Sequence, residues 1–164
     1  TPQVLDILSQ HGVKATFFMV GENAERYPEL VARVRSERHA VGNHTYHHLK
    51  GYKMCTQNYL QDAQHAHDIL HTHLFRPPHG RMKYSQKKKL RELGCTIYLW
   101  DVLTHDYNPC YSVEKMLSVV KRYTRNGSII VMHDSLKSKD RMLQLLPQMI
   151  DWLQAEGYKC KTLP

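Results

Sequence analysis

The sequence predicts an α/β fold, a parallel sheet with helices outside it, either open or rolled into a barrel. Two observations carry that expectation. Apolar runs of about five residues alternate with amphipathic stretches of about ten to fifteen, the pattern of βα units whose strands are buried on both faces. Residues able to do chemistry also stand directly after those apolar runs, where βα loops gather at the carboxyl ends of parallel strands.

Each element has its own signal. Thr1 is a good N-cap, Pro2 suits a first helical turn, Val4, Leu5, Ile7 and Leu8 form an apolar stripe, and Gly12 can close the helix. Residues 15–20 (ATFFMV) read as a short buried strand, and residues 23–36 as one helix carrying Ala24, Leu30, Val31 and Val34. A brief strand at 40–42 leads into a His-rich segment, Thr56 is placed to cap a helix reaching about His71, and 73–75 is a candidate strand. Ser85 is placed to cap a helix that Gly94 ends, 96–100 is strand-like, and Ser112 caps a helix to about Tyr123. Residues 128–132 (SIIVM) are strongly β-branched, and a final helix over 142–155 ends near Gly157 before a last strand around 158–162.

A length of 164 residues suits one domain with a real core, so residues 1–164 are expected to form a single compact unit. No stretch approaches the ~18–20 apolar residues of a membrane span, and no basic-then-apolar leader opens the chain, which reads as soluble. The first residue is Thr1 rather than Met, so the natural start is expected upstream, and localisation stays open. Cys55, Cys95, Cys110 and Cys160 are far apart with no Cys-x-x-Cys pair, the pattern of free, partly buried thiols that leans to a cytoplasmic setting. The net charge of +8 raises nucleic acid or an anionic cell-envelope polymer as a partner. The only tight basic run, Lys87-Lys88-Lys89, lies in a surface helix and reads as a solvated face, and no nucleic-acid motif accompanies it.

The most informative stretch is His44-Thr45-Tyr46-His47-His48. On one helical turn, residues four apart share a face, so two imidazoles could meet one divalent metal. The spacing alone is cheap: 12 His in the chain give roughly one such pair by chance, and His67 and His71 form a second. Position separates them. His44 and His48 follow the strand ending at Gly42, whereas His67 and His71 sit deep in a helix outside the sheet and read as exposed helix residues. Arg76-Pro77-Pro78-His79-Gly80 follows the third strand, with an arginine able to hold a carboxylate in a bidentate pair or to serve as a structural ion pair. Asp101 and Asp106-Tyr107 follow 96–100, and His133-Asp134 follows 128–132. By itself His133 reads as a satisfied core histidine. Together the endings supply two imidazoles for a metal, a third for proton transfer, a carboxylate to tune it and an arginine.

These residues resemble the polysaccharide deacetylases that share the NodB-homology domain, over essentially the whole chain. The family's His-Ser/Thr-x-x-His motif is matched by His44-Thr45-Tyr46-His47-His48, its Arg-Pro-Pro-Tyr-Gly by Arg76-Pro77-Pro78-His79-Gly80, and its Asp-Trp by Asp106-Tyr107. Its apolar-x-x-His is matched by Ile130-Val131-Met132-His133, and the lead-in from Ala15 to Gly21 is also typical. The resemblance implies a parallel-stranded, distorted (β/α) barrel with its first strand missing, that is, an N-terminally incomplete catalytic domain. It implies a metal-dependent hydrolase that removes acetyl groups from N-acetylated, or less often O-acetylated, carbohydrates. It also implies an acetylated glycan as partner, a monomer, and a cell-envelope or secreted location. The metal it implies is zinc, with cobalt, nickel or manganese as alternatives, held by His44 and His48, with Thr45 orienting the site from behind. Arg76 would position the catalytic carboxylate, and a backbone N–H near His79 would help stabilise the oxyanion. His133 would act as general acid, its protonated form favoured by Asp106. His79, Tyr107 and Trp100 would contact substrate.

Three departures stand out. His79 replaces the usual aromatic, Tyr107 replaces Trp, and the family's Asp-Asp pair, source of the base and the third metal ligand, has no equivalent. Catalytic zinc wants three protein ligands and two histidines make only two. The apolar 15–20 strand would also lie bare at a sheet edge, so a strand carrying carboxylates is expected ahead of Thr1. Asp6 lies within a helix, and Asp101 is a weak substitute ligand. The rival expectation is a catalytically inactive carbohydrate-binding or scaffold domain of the same fold.

Overall fold

In a computed structural model describing residues 1–164, the chain divides into two compact units, one of residues 15–99 and 162–164, the other of residues 1–14 and 100–161.

The first unit is built on four parallel strands in the order β1 (Thr16–Met19), β2 (Ala40–Asn43), β3 (Leu74–Phe75) and β4 (Thr96–Ile97). Phe18 lies opposite Gly42 and Met19 opposite Asn43, while β3 meets β2 through Asn43 and Phe75. Gly42 is required by packing: a Cβ there would stand 2.5 Å from the Phe18 ring. The helices are α2 (Gly21–Arg26), α3 (Pro28–Ser36), α4 (Thr56–Leu70) and α5 (Tyr84–Glu92). The single helix expected over 23–36 is thus two, because Pro28 pushes Tyr27 out of the helical region, to φ −131° and ψ 61°, and itself starts α3. On α4, Tyr59, Ala63, Ala66 and Leu70 form a buried helical stripe, and Tyr59 and Ala63 join Phe75 and Leu90 in the core. Thr56 and Ser85 do not cap: Cys55 and Lys83 hold the N-cap positions, and the two hydroxyls meet each other at 2.7 Å.

The second unit pairs β5 (Val102–Leu103) with β6 (Ile130–Val131) in parallel and adds α1 (Pro2–Gln10), α6 (Val113–Tyr123) and α7 (Lys139–Ala155). Val4, Leu5 and Leu8 are buried on α1, and Met142, Leu145, Leu146, Met149, Ile150 and Leu153 on α7. Ser112 caps α6 as expected, its hydroxyl accepting from the Lys115 N–H at 3.2 Å. Thr1 does not cap α1 with its side chain; the hydroxyl donates to Asp134 at 2.5 Å.

Two strand expectations are corrected. The run at 96–100 yields only Thr96–Ile97, and a separate β5 follows Asp101. Asp101 acts there as a clamp, its carboxylate accepting from the Ile129 N–H at 2.7 Å and the Ser128 hydroxyl at 3.0 Å. No strand forms over 158–162: the Tyr158 N–H instead donates to Leu153 O and closes the end of α7. All four cysteines are free thiols, and no helix is long and apolar enough to cross a membrane.

Candidate active site

Strand register explains the cluster in the first unit. Because Asn43 pairs with Phe75, the next residues, His44 and Arg76, emerge side by side. His44 Nδ1 lies 2.7 Å from the Arg76 carbonyl. A carbonyl can only accept, so Nδ1 carries the hydrogen and the lone pair of the neutral ring sits on Nε2, the form in which imidazole binds a metal. The His48 ring centroid is 5.0 Å from that of His44.

The segment carrying these rings is a loop, which corrects the expectation of a helical turn. Thr45 and His48 both have left-handed backbone, at φ 63° and φ 56°. Two such residues in five turn the chain sharply enough to bring rings four apart into proximity without helical hydrogen bonding. Thr45, fully buried, holds the turn: its N–H donates to Asn43 Oδ1 at 2.8 Å, its hydroxyl accepts from the Leu49 N–H at 3.1 Å, and its carbonyl accepts from the Gly21 N–H at 2.9 Å.

Two residues that sequence reasoning missed complete this frame. Asn43, at the end of β2, also donates its amide to the Ala63 carbonyl at 2.8 Å. Asp62 on α4, only 8% exposed, accepts from the Tyr46 N–H at 2.8 Å, the His47 N–H at 3.1 Å and His47 Nδ1 at 2.5 Å. The available signal was a carboxylate falling inside the apolar stripe of α4, a costly position unless it serves as an acceptor.

Arg76 is buried, with its guanidinium 4.1 Å from the Phe18 ring centroid and its Nε and Nη2 each donating, at 3.3 Å, to the carbonyls of Tyr98 and Leu99. Burial lowers its pKa to about 10, which leaves it charged at neutral pH. His79 is exposed at φ 58°, with its ring centroid 5.0 Å from that of His48. No group of three or more His, Cys, Asp or Glu residues is arranged to hold a metal ion. The donors present therefore fit two positions of a metal site, through His44 and His48.

In the second unit, Asp106 is fully buried and grips His133 twice, accepting from its backbone N–H at 2.6 Å and from Nδ1 at 2.8 Å. The carboxylate thereby fixes the ring orientation and keeps a hydrogen on Nδ1, which leaves Nε2 as the ring nitrogen that Asp106 does not hold. The His133 side chain is 41% exposed, which rules out the core-histidine reading. Arg141 Nε holds the Asp106 carbonyl at 3.0 Å. The Tyr107 ring stands edge-on to His133 with centroids 5.0 Å apart. Trp100 is half-buried and lies between β4 and β5 in the chain, in neither strand. Asp134 meets the N-terminal amine at 3.1 Å. His67 packs near His73 and contacts the Thr72 carbonyl, while His71 serves as the left-handed C-cap of α4, so this second pair forms no metal site.

A sequence profile described as polysaccharide deacetylase matches residues 1–98. The chain belongs to the polysaccharide deacetylase family. A peptidoglycan-N-acetylglucosamine deacetylase of Bacillus cereus is 34% identical over 175 aligned positions, which take in 100% of this chain and 62% of that relative, so the chain spans less than two thirds of the relative's length. Among solved structures, a peptidoglycan N-acetylglucosamine deacetylase in complex with 4-naphthalen-1-yl-N-oxidanyl-benzamide matches at TM-score 0.95 and 33% identity, over 99% of this chain and 79% of that one. A family 4 carbohydrate esterase pseudoenzyme from Bacillus anthracis matches at TM-score 0.85 and 26% identity, over 99% of this chain and 58% of that one. The α/β deacetylase fold expected from the sequence is therefore the observed one. Polysaccharide deacetylases are generally metal dependent.

Proposed function

We propose that this chain is a metal-dependent hydrolase that removes acetyl groups from N-acetylated carbohydrates of the peptidoglycan or chito-oligosaccharide type, with O-acetyl groups as a lesser alternative. The observation that carries this reading is the His44–His48 pair, with ring centroids 5.0 Å apart and His44 Nδ1 tied to the Arg76 carbonyl. Zinc is the first candidate, with cobalt, nickel and manganese next. When bound, the ion supplies Lewis acidity, polarising an acyl carbonyl and acidifying water.

The rest of the chemistry belongs to side chains. His44 and His48 bind through their imidazoles, and Thr45, Asn43 and Asp62 keep the loop in the shape that presents them. Arg76 holds a positive charge at the end of β3, suited to orienting a carboxylate. His133, its ring held by Asp106, gives a proton from Nε2 to the leaving amine. His79, Tyr107 and Trp100 contact the sugar.

The pseudoenzyme likeness supports a second reading, a carbohydrate-binding domain without catalysis. Acetate release from chitotetraose and peptidoglycan fragments by the full-length natural protein, loaded in turn with each of the four metals, separates the two. Deacetylation lost in His44→Ala and His48→Ala, and reduced roughly 10²–10⁴-fold in His133→Ala, is the expected result. Tight binding of chitotetraose with no acetate release under any metal would replace the enzyme reading with the binding one.

A further inference from the structure

Next to the Asp106–His133 pair stands a group with no assigned role. His105 is a non-glycine residue with left-handed backbone, at φ 60°. Such a conformation is strained for a residue with a Cβ and persists where the surroundings demand it. Here they do. The His105 carbonyl accepts from the Asn108 N–H at 2.8 Å, and Asn108 in turn accepts from the Tyr111 N–H at 3.1 Å and, through its side chain, from the Cys110 N–H at 3.0 Å. This turn sets the His105 ring 5.0 Å from Tyr111, centroid to centroid, and puts His105 Nδ1 3.3 Å from the Tyr107 hydroxyl.

Between them, Asp106 points inward and grips His133, while the rings of His105, Tyr107 and Tyr111 are only half-buried and form a wall reachable from solvent. We propose that His105 is a positioning residue that fixes the hydroxyl of Tyr107, whose ring stands edge-on to His133, so that this oxygen binds a hydroxyl group of the N-acetylated pyranose whose acetyl is removed. The inference rests on the deacetylase reading and deepens it. A phenol with one side tied to an imidazole keeps a second hydrogen-bonding direction. A sugar hydroxyl, able both to donate and to accept, can satisfy that direction whichever partner carries the shared proton. A tryptophan, the residue for which Tyr107 stands in, has a ring N–H and no hydroxyl.

Three variants of the full-length protein test this. His105→Gly keeps the left-handed backbone without strain and deletes the ring. His105→Asn tolerates that backbone and restores a hydrogen-bonding atom near the Nδ1 position. Tyr107→Phe deletes only the hydroxyl. The ¹⁵N shift of His105 Nδ1 should move in Tyr107→Phe, a readout that needs no substrate. Calorimetric affinity for chitotetraose, and KM for its deacetylation, should each weaken about three- to tenfold in His105→Gly and in Tyr107→Phe, as one hydrogen bond implies, with kcat changed by no more than about twofold. The double variant should be no worse than either single one, and His105→Asn should recover most of the loss.

An unmoved Nδ1 shift, a His105→Gly protein that binds like wild type, or losses that multiply in the double variant would each overturn the proposal while leaving the deacetylase reading intact. A wild-type protein that neither binds nor cleaves chitotetraose or peptidoglycan fragments overturns both. One that binds without cleaving overturns the deacetylase reading and, with it, the assignment of the bound sugar as the one deacetylated, while the affinity arm still decides whether His105 positions the Tyr107 hydroxyl for sugar binding.

Discussion

Replacing Asp62 by alanine tests the frame that presents the two metal-binding rings. Asp62 is 8% exposed and accepts three hydrogen bonds, from the Tyr46 and His47 backbone N–H groups and from His47 Nδ1. The His47 side chain is 58% exposed, so its bond is easily replaced by water and adds little. The two backbone donors are different. They lie in the part-buried turn, and stranding each costs about 1–3 kcal/mol, so the substitution should cost about 3 kcal/mol in all. At this chain length that lowers the thermal midpoint by roughly 6–12 °C. Alanine also frees the turn between His44 and His48, and losing a support of this kind behind a ligand weakens metal affinity by roughly 10–100-fold. Urea unfolding measures the first effect, and calorimetric titration with zinc or cobalt on the folded variant measures the second. His47→Ala, which keeps both backbone bonds, should shift stability by less than about 0.5 kcal/mol. If Asp62→Ala binds zinc like wild type while its stability falls, Asp62 supports the fold and not the ligand loop.

Gly42→Ala drives a methyl to 2.5 Å from the Phe18 ring, which is itself stacked under Arg76; overpacking should cost about 1–3 kcal/mol in urea unfolding, and an unchanged midpoint would show that the ring moves freely. Desolvation acts to raise the Asp101 pKa, but the Ile129 and Ser128 hydrogen bonds and Arg125 outweigh it and hold the carboxyl below its ordinary value. A depressed folded value stabilises above the unfolded pKa of about 4 and is lost as pH falls through the folded one, so Asp101→Asn should be less stable than wild type at pH 7, by no more than about 1 kcal/mol for so exposed a group, and converge with it in acid unfolding. Burial raises the Cys95 thiol, so at pH 7.5 peptide mass mapping should find it alkylated several-fold more slowly than the exposed Cys55 and Cys110.

Local chemistry was legible in the sequence wherever one residue type dictates one geometry. Ser112 before an amphipathic run is a cap, Gly94 ends a helix at φ 83°, and the SIIVM stretch contains a strand. Errors arose where a distant partner decides. Thr56 and Ser85 have the chemistry of caps, yet their hydroxyls meet each other across 29 positions. Residues 96–100 carry strand propensity throughout, but pairing with β3 reaches only Thr96 and Ile97, after which Asp101 anchors the chain to Ile129. The His44–His48 pair was found through helical spacing, although left-handed residues at 45 and 48 do the work that a helix was expected to do. The spacing was informative and the geometry inferred from it was not.

The same device supports a histidine in each unit, and this explains why one instance was legible and the other was not. Asp62 accepts the backbone N–H of His47 through one carboxylate oxygen and its Nδ1 through the other. Asp106 does the same to His133. In both, a carboxylate with little or no exposure fixes chain and ring together, so the imidazole turns Nε2 outward without spending rotamer entropy at the moment of binding. Asp106 is separated from its histidine by 27 positions and Asp62 from His47 by 15, so neither pairing is written in local sequence. Asp106 was found because it follows a strand-like run and matches a family motif, whereas Asp62 lies mid-helix, where a lone carboxylate ordinarily reads as solvent-facing. What distinguishes it is its phase. Asp62 stands three residues after Tyr59 and four before Ala66, squarely on the buried stripe, and a charge in that phase implies donors that can only come from another segment.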